Sequence, residues 1–354
     1  MNLGNPSMLK QAGRWATRIQ TVCYEFMFRP IGPGRLAQIG HTLVLGLIYL
    51  AGAFHWAWLM NYGNVTYKYI DWQKFYDYYA VIQKALLDKA VPFFIPHFYK
   101  GTNQFLAIPE TDLSPAVFLL KYMSVKEFFL TQCLILYTLG FIGGLWFRKR
   151  YRWSLFTFIF FSLLFNLNGH IVSHLAISHW PWVSYFLLPF FVAWVMKLVE
   201  GDRSLWHGTK LAWVLFGIML LGGLHPFVWC LIFLGLLCLY QRSFIKPILM
   251  GVALGGVFST YRFVPAFITF FGYKNEFASG FPSIPDFLAS LVVIKDYNNF
   301  IGPLYGKISR IAWWELDHYV GVAGLAAILY FGIYLRIKNK NEGETHDYRV
   351  LDLS

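Results

Sequence analysis

Carboxylates, imidazoles and one arginine recur in this chain beside apolar and aromatic runs, in spacings that suit proton transfer or phosphate binding. Asp71 closes the segment Tyr67-Lys68-Tyr69-Ile70-Asp71. The next stretch, 72–87, has helical apolar spacing and neither Gly nor Pro, which predicts an amphipathic helix on the outer membrane surface. A carboxylate at its N-terminal end either caps the helix or faces a cleft as a general base. Asp77 is the second candidate; six residues on, it lies roughly 240° round the helix, so the two acids do not share a face. Glu110 and Asp112 fall in a Gly-, Pro- and Asn-containing polar loop, where they bind a sugar or a cation or are simply solvated. His170 and His174, four apart, share one helix face. That pair holds a metal, donates to a phosphate, or packs against other loops. His179 ends the same uncharged run, and His225 sits in Gly222-Gly223-Leu224-His225-Pro226. Arg262, in Ser259-Thr260-Tyr261-Arg262, either grips a lipid phosphate with both arms of its guanidinium or snorkels to bulk headgroups. Glu315 and Asp317, within Trp313-Trp314-Glu315-Leu316-Asp317-His318-Tyr319, read as part of an aromatic belt whose acids reach the same cleft.

The elements that must position these groups are apolar. Of 354 residues, 57% are hydrophobic and 14% charged. Soluble domains carry roughly 25% charge, so the natural solvent for much of this surface is lipid. Apolar runs at 41–62, 128–147, 153–167, 182–199, 211–224, 227–240, 247–261 and 319–335 predict an all-α membrane protein of about eight transmembrane helices. The run 211–240 is too long for one crossing and is broken by Gly222, Gly223 and Pro226, which predicts a hairpin. With both termini cytoplasmic, eleven of the 13 arginines fall on the cytoplasmic side, as the positive-inside rule requires. The organisation expected is a basic cytoplasmic segment 1–40, a membrane module 41–336 with outer loops 63–127 and 262–318, and a polar cytoplasmic tail 337–354, with no cleaved signal peptide. The net charge of +12 is spread between hydrophobic runs, which argues against nucleic acid as a partner. Cys23, Cys133, Cys230 and Cys238 form no CxxC pair, and no P-loop, GxGxxG or HExxH is present.

A long outer loop after the first helix, with an early acid and surface helices, resembles the GT-C superfamily of integral-membrane glycosyltransferases. Asp71-Trp72, Pro109-Glu110-Thr111-Asp112-Leu113-Ser114-Pro115, Asn168-Gly169-His170 with His174 and His179, and Trp314-Glu315-Leu316-Asp317-His318-Tyr319 carry the resemblance, which spans about 40–335 and is to a short bacterial member. It implies a polyprenyl-phosphate-linked sugar as donor, reaction on the outer face of the cell's inner (plasma) membrane, and an acceptor that is protein, lipid or glycan. It implies Asp71, or else Asp77, as base, with Arg262, His170 and His174 on the donor phosphate; the other named histidines and acids complete the substrate site. Many members pair acids at adjacent or alternate positions, whereas Asp71 is followed by Trp72 and Gln73, so a divalent cation (Mg or Mn) is left open and no metal ligands are assigned. The rival readings are a polytopic transporter or lipid scramblase, and a redox subunit with haem on His170, His174 or His225.

Overall fold

The structure, a computed structural model, describes residues 17–18, 20–29, 34–64, 70–90, 108, 110–202, 204–271, 284–292, 318–335 and 337–338. Glu315, Asp317 and the tail beyond residue 338 lie outside them. Among the described residues the chain is helical, with no strand. In chain order the helices are α1 (Arg35–Leu59), α2 (Ile70–Leu87), α3 (Val125–Arg150), α4 (Leu155–Asn166), α5 (Gly169–Ala176), α6 (Leu188–Val199), α7 (Leu205–Leu220), α8 (Leu224–Tyr240), α9 (Ile245–Phe258), α10 (Thr260–Phe270), α11 (Ile284–Val292) and α12 (Gly321–Ala327), which runs on as the wider-wound turns Ile328–Tyr334. A 3-10 segment, Trp180–Leu187, leads into α6.

Among the described residues four helices are long and apolar enough to cross a membrane, or five when α9 and α10 are counted as one span bent by 67°. The hairpin expected near Gly222 is present: α7 and α8 meet there, and Gly222 has φ +75°. α7 and α9 pack closely because Gly208 and Gly251 face each other; a Cβ on Gly208 would meet the Pro247 carbonyl oxygen at 2.6 Å. Small residues at such crossings let backbones approach and gain dispersion contact that lipid cannot replace.

Local chemistry sets the ends of α3. Ser124 and Glu127 form a capping box, with the Glu127 amide donating to Ser124 Oγ at 3.3 Å and the Ser124 amide to Glu127 Oε2 at 2.8 Å. Arg148, Lys149 and Arg150 close its last turn, where cations suit the helix dipole. The segment that precedes α3 therefore stops at Ser124, and Glu127 belongs to the helix.

The amphipathic helix predicted after Asp71 is α2, but protein covers its apolar face. Trp72, Phe75, Tyr79 and Ile82, at the spacing of one helical face, are buried. Trp72 meets Phe129 of α3 edge to face at 5.3 Å, Tyr79 lies 4.9 Å from Phe128, and Phe129 lies 4.7 Å from Trp180. The Trp72 indole N–H donates to the Ala176 carbonyl at 2.9 Å. α2 thus docks on the helix bundle instead of lying on lipid. Its large rings find a better-packed partner in Phe128, Phe129 and Trp180 than in fluid acyl chains.

Candidate functional site

α2 brings Asp71 to the end of α5. His179 Nε2 lies 3.2 Å from Asp71 Oδ2, and His179 Nδ1 lies 2.6 Å from His174 Nδ1. An ionised carboxylate only accepts, so His179 carries its proton on Nε2; a neutral His179 then accepts at Nδ1 from His174. The bond from His179 pulls the Asp71 carboxyl below its ordinary range; partial burial opposes this, and the charge of Lys74 adds to it. Asp71 keeps a third of its side chain exposed. It does not serve as the N-cap that the bland reading offers: its carboxylate is turned to a residue 108 positions away.

α5 starts at Asn168, whose Oδ1 accepts the Ile171 amide at 3.2 Å. The four-residue spacing then puts the His170 ring 4.4 Å from His174. His170 also meets Trp182 at 4.8 Å and His318 at 5.0 Å. Trp182 is the centre of the cluster: His174 stacks on it at 4.4 Å and His225, from the first turn of α8, at 5.8 Å. A cleft of about 160 Å³ opens here, lined by Lys74, Glu110, His174, His179, Trp182 and His225 among others. Lys74 and Glu110 form an ion pair across it. Asp71 is not among the lining residues and is joined to the cleft through its partner His179.

Asp112 and Arg262 lie behind this cleft, out of reach of it. Both are buried. Asp112 accepts from the Gln132 amide group, from the Ser114 backbone N–H at 2.6 Å and from the Tyr79 hydroxyl at 3.4 Å. Burial pushes its carboxyl up to about 6, against the pull of the Ser114 and Gln132 bonds. The solvated reading of Asp112 therefore fails, and so does direct binding of a ligand. Arg262 is corrected too: the chain bends at Ser259 and continues helical, so Arg262 belongs to the first turn of α10 and is not the start of a loop. Its guanidinium donates to the Ile108 carbonyl, to the Thr111 hydroxyl and, at 2.6 Å, to the Thr111 carbonyl. Neither bulk headgroups nor a lipid phosphate is its partner here. The α7–α8 turn presses on the same loop: the Leu113 amide donates to the Leu220 carbonyl at 2.7 Å, and a Cβ on Gly222 would meet the Glu110 carbonyl oxygen at 2.5 Å.

Of the residues picked from sequence, Asp71, Glu110, His170, His174, His179 and His225 are brought together. Asp77 is not; it accepts from Gln73 at 2.8 Å on another side of α2. Glu315 and Asp317 fall outside the described residues, although His318 beside them reaches the cluster. Lys74 and Trp182 were missed. Lys74 had a signal, since it follows Asp71 by three positions on one helix face; Trp182 had none beyond its aromatic type. Among the described residues no group of three or more His, Cys, Asp or Glu has metal-holding geometry.

Fold and site together define a chain that is helical over its described residues, apolar enough to cross a membrane several times, with a carboxylate–histidine cluster at one end of its bundle. No protein-family model, curated protein or solved structure matches the chain.

Proposed function

We propose that this chain is a GT-C-type membrane glycosyltransferase, moving a sugar from a polyprenyl-phosphate donor to an acceptor on the outer face of the inner membrane. The observation that carries the reading is the Asp71–His179–His174 chain at the rim of a cleft that also holds Lys74, Glu110 and Trp182. Asp71 is the base. It stays ionised, its orientation is fixed by His179, and its other oxygen is left to receive the acceptor's proton. As the acceptor oxygen bonds to the anomeric carbon, the bond from that carbon to the phosphate oxygen breaks. Lys74 and the His225 imidazole, both lining the cleft, meet the charge left on the phosphate. Arg262 contributes indirectly, by holding the loop that carries Glu110. A positioned base is worth about 10²–10⁴ in rate.

Eight crossings with cytoplasmic termini fit this reading. Contacts join the α1 end to the α4 end (Trp56 to Asn166, 2.8 Å) and the start of α5 to Tyr319, two residues before α12 (Gly169 to Tyr319, 2.8 Å), on the side of the cleft. The basic turns at 148–152 and 242–246 close the opposite ends of their helices. The haem reading has less in its favour, because His170, His174 and Trp182 touch ring to ring, with no gap for a macrocycle between the imidazoles. The test is transfer of labelled sugar from a polyprenyl-phosphate donor by membranes carrying wild type or Asp71→Asn. The expected result is transfer that falls at least 100-fold in the variant. Equal transfer in both removes Asp71 from its role, and no transfer with any such donor ends the proposal.

A further inference from the structure

The end of the bundle away from the histidines carries a second cavity. α3, α4 and α6 leave a groove of about 490 Å³ between them. One wall is a ladder of rings: Phe147 lies parallel to Trp153 at 5.7 Å, Phe161 stacks on Phe165 at 5.5 Å, and Phe165 stacks on Tyr185 at 4.6 Å. Pro189, Val192 and Met196 form the facing wall. The ladder from Trp153 to Phe165 rises roughly 18 Å at about 1.5 Å per residue. Spread over that length, the 490 Å³ gives a cross-section of roughly 27 Å². A section of that order suits a single hydrocarbon chain, whereas a helix about 10 Å across, needing roughly 80 Å², would enter it only in part. Its length is about half of a ~30 Å hydrocarbon core, the depth of one leaflet.

The two ends of the groove differ in charge. At the Tyr151 end, Lys149 and Arg150 close α3, Arg152 lies in the turn to α4, and Lys197 follows Met196. One carboxylate answers them: Glu200 accepts from Arg150 at 2.7 Å and from the Tyr151 hydroxyl at 2.8 Å. Lys149 and Arg152 are exposed and have no carboxylate partner among the described residues. No residue that lines the groove is cationic, and no Lys or Arg lies between Arg152 and Lys197, so the Phe165–Tyr185 end has no cation beside it in sequence.

The geometry points to a bound anionic phospholipid of the leaflet next to the basic turn, with one acyl chain in the groove and its phosphate on Lys149 and Arg152. A polyprenyl phosphate reacting at the histidine cleft would need its phosphate at the other end, so the substrate lipid is not the occupant. This inference is independent of the glycosyltransferase reading.

The full chain, delipidated in detergent, is titrated with phosphatidylglycerol, with phosphatidylcholine of the same chains, and with a polyprenyl phosphate, and adducts are counted by native mass spectrometry. Wild type should retain phosphatidylglycerol at least tenfold more tightly than phosphatidylcholine. Lys149→Gln with Arg152→Gln should weaken it about 30-fold, some fivefold per cation; both side chains are exposed, so folding is not at risk. Val192→Trp, at a position 41% exposed, should fill the groove and remove the adduct of both phospholipids. Equal retention of the two phospholipids, or unchanged binding in the double variant, overturns the headgroup assignment. Unchanged binding in Val192→Trp overturns the groove. Displacement of phosphatidylglycerol by equimolar polyprenyl phosphate would make the groove a substrate-lipid site instead.

Discussion

Asp71 and Asp112 both come from the segment between α1 and α3 and end in opposite states. Asp71 stays a third exposed, accepts from an imidazole, and has its carboxyl lowered. Asp112 is sealed among Tyr79, Ser114 and Gln132, and burial raises its carboxyl to about 6. The polar loop that carries Asp112 also carries Glu110, which does reach the cleft. Two residues apart, one acid belongs to the site and the other to the scaffold behind it. The difference lies in solvent access: only a carboxylate that keeps an open oxygen can take a proton from a bound molecule, whereas a fully coordinated one fixes the loop around it.

This contrast can be broken from the scaffold side first. Arg262→Ala removes three donors from the carbonyls of Ile108 and Thr111 and the Thr111 hydroxyl, and leaves a cavity. It should cost about 4 kcal/mol, seen as a loss of monodisperse protein and a large drop in melting temperature. Arg262→Lys should recover less than half of that, because an ammonium lacks the planar fork. A wild-type melting temperature in Arg262→Ala would show that the clamp is not structural.

Asp112 gives the next largest effect, and its sign is fixed. Its folded carboxyl titrates near 6, above its ordinary 3.8. The protonated form is favoured by the fold, so this contribution is full below about pH 3.8 and is lost as pH rises through about 6. The span corresponds to about 3 kcal/mol. The difference in stability between wild type and Asp112→Asn, measured by thermal melting from pH 4 to 7, should follow that window. A difference independent of pH would contradict the burial argument. Asp77 should do least: Asp77→Asn changes stability by under about 0.5 kcal/mol and transfer by less than about twofold, and a larger loss of transfer would reopen it as the base.

Much of the fold was legible because periodicity reports local structure. Trp72, Phe75 and Tyr79 marked α2, Gly222 marked the hairpin, and the four-residue spacing of His170 and His174 gave their shared face. What covers a face was not legible. α2 was expected on lipid because an amphipathic pattern does not say whether its apolar side meets acyl chains or Phe128 and Phe129. Asp112 reads as a ligand-binding or solvated acid because a Pro-, Thr- and Ser-rich loop looks exposed, and its burial needs Gln132 and Tyr79 from two separate helices. Arg262 reads as the start of a loop because the apolar run 247–261 ends just before it, although the chain only bends at Ser259 and stays helical. The link from Asp71 to His179 joins residues 108 apart, which no spacing rule reaches.

The account stands most directly on Asp71 and His179 acting as one unit. Transfer from a polyprenyl-phosphate sugar should be compared in wild type, Asp71→Asn, His179→Gln and the double variant at matched expression. Groups that act as a unit give non-additive losses, so the double variant should be no slower than the slower single one. Losses that multiply, or a His179→Gln enzyme as fast as wild type, would contradict it.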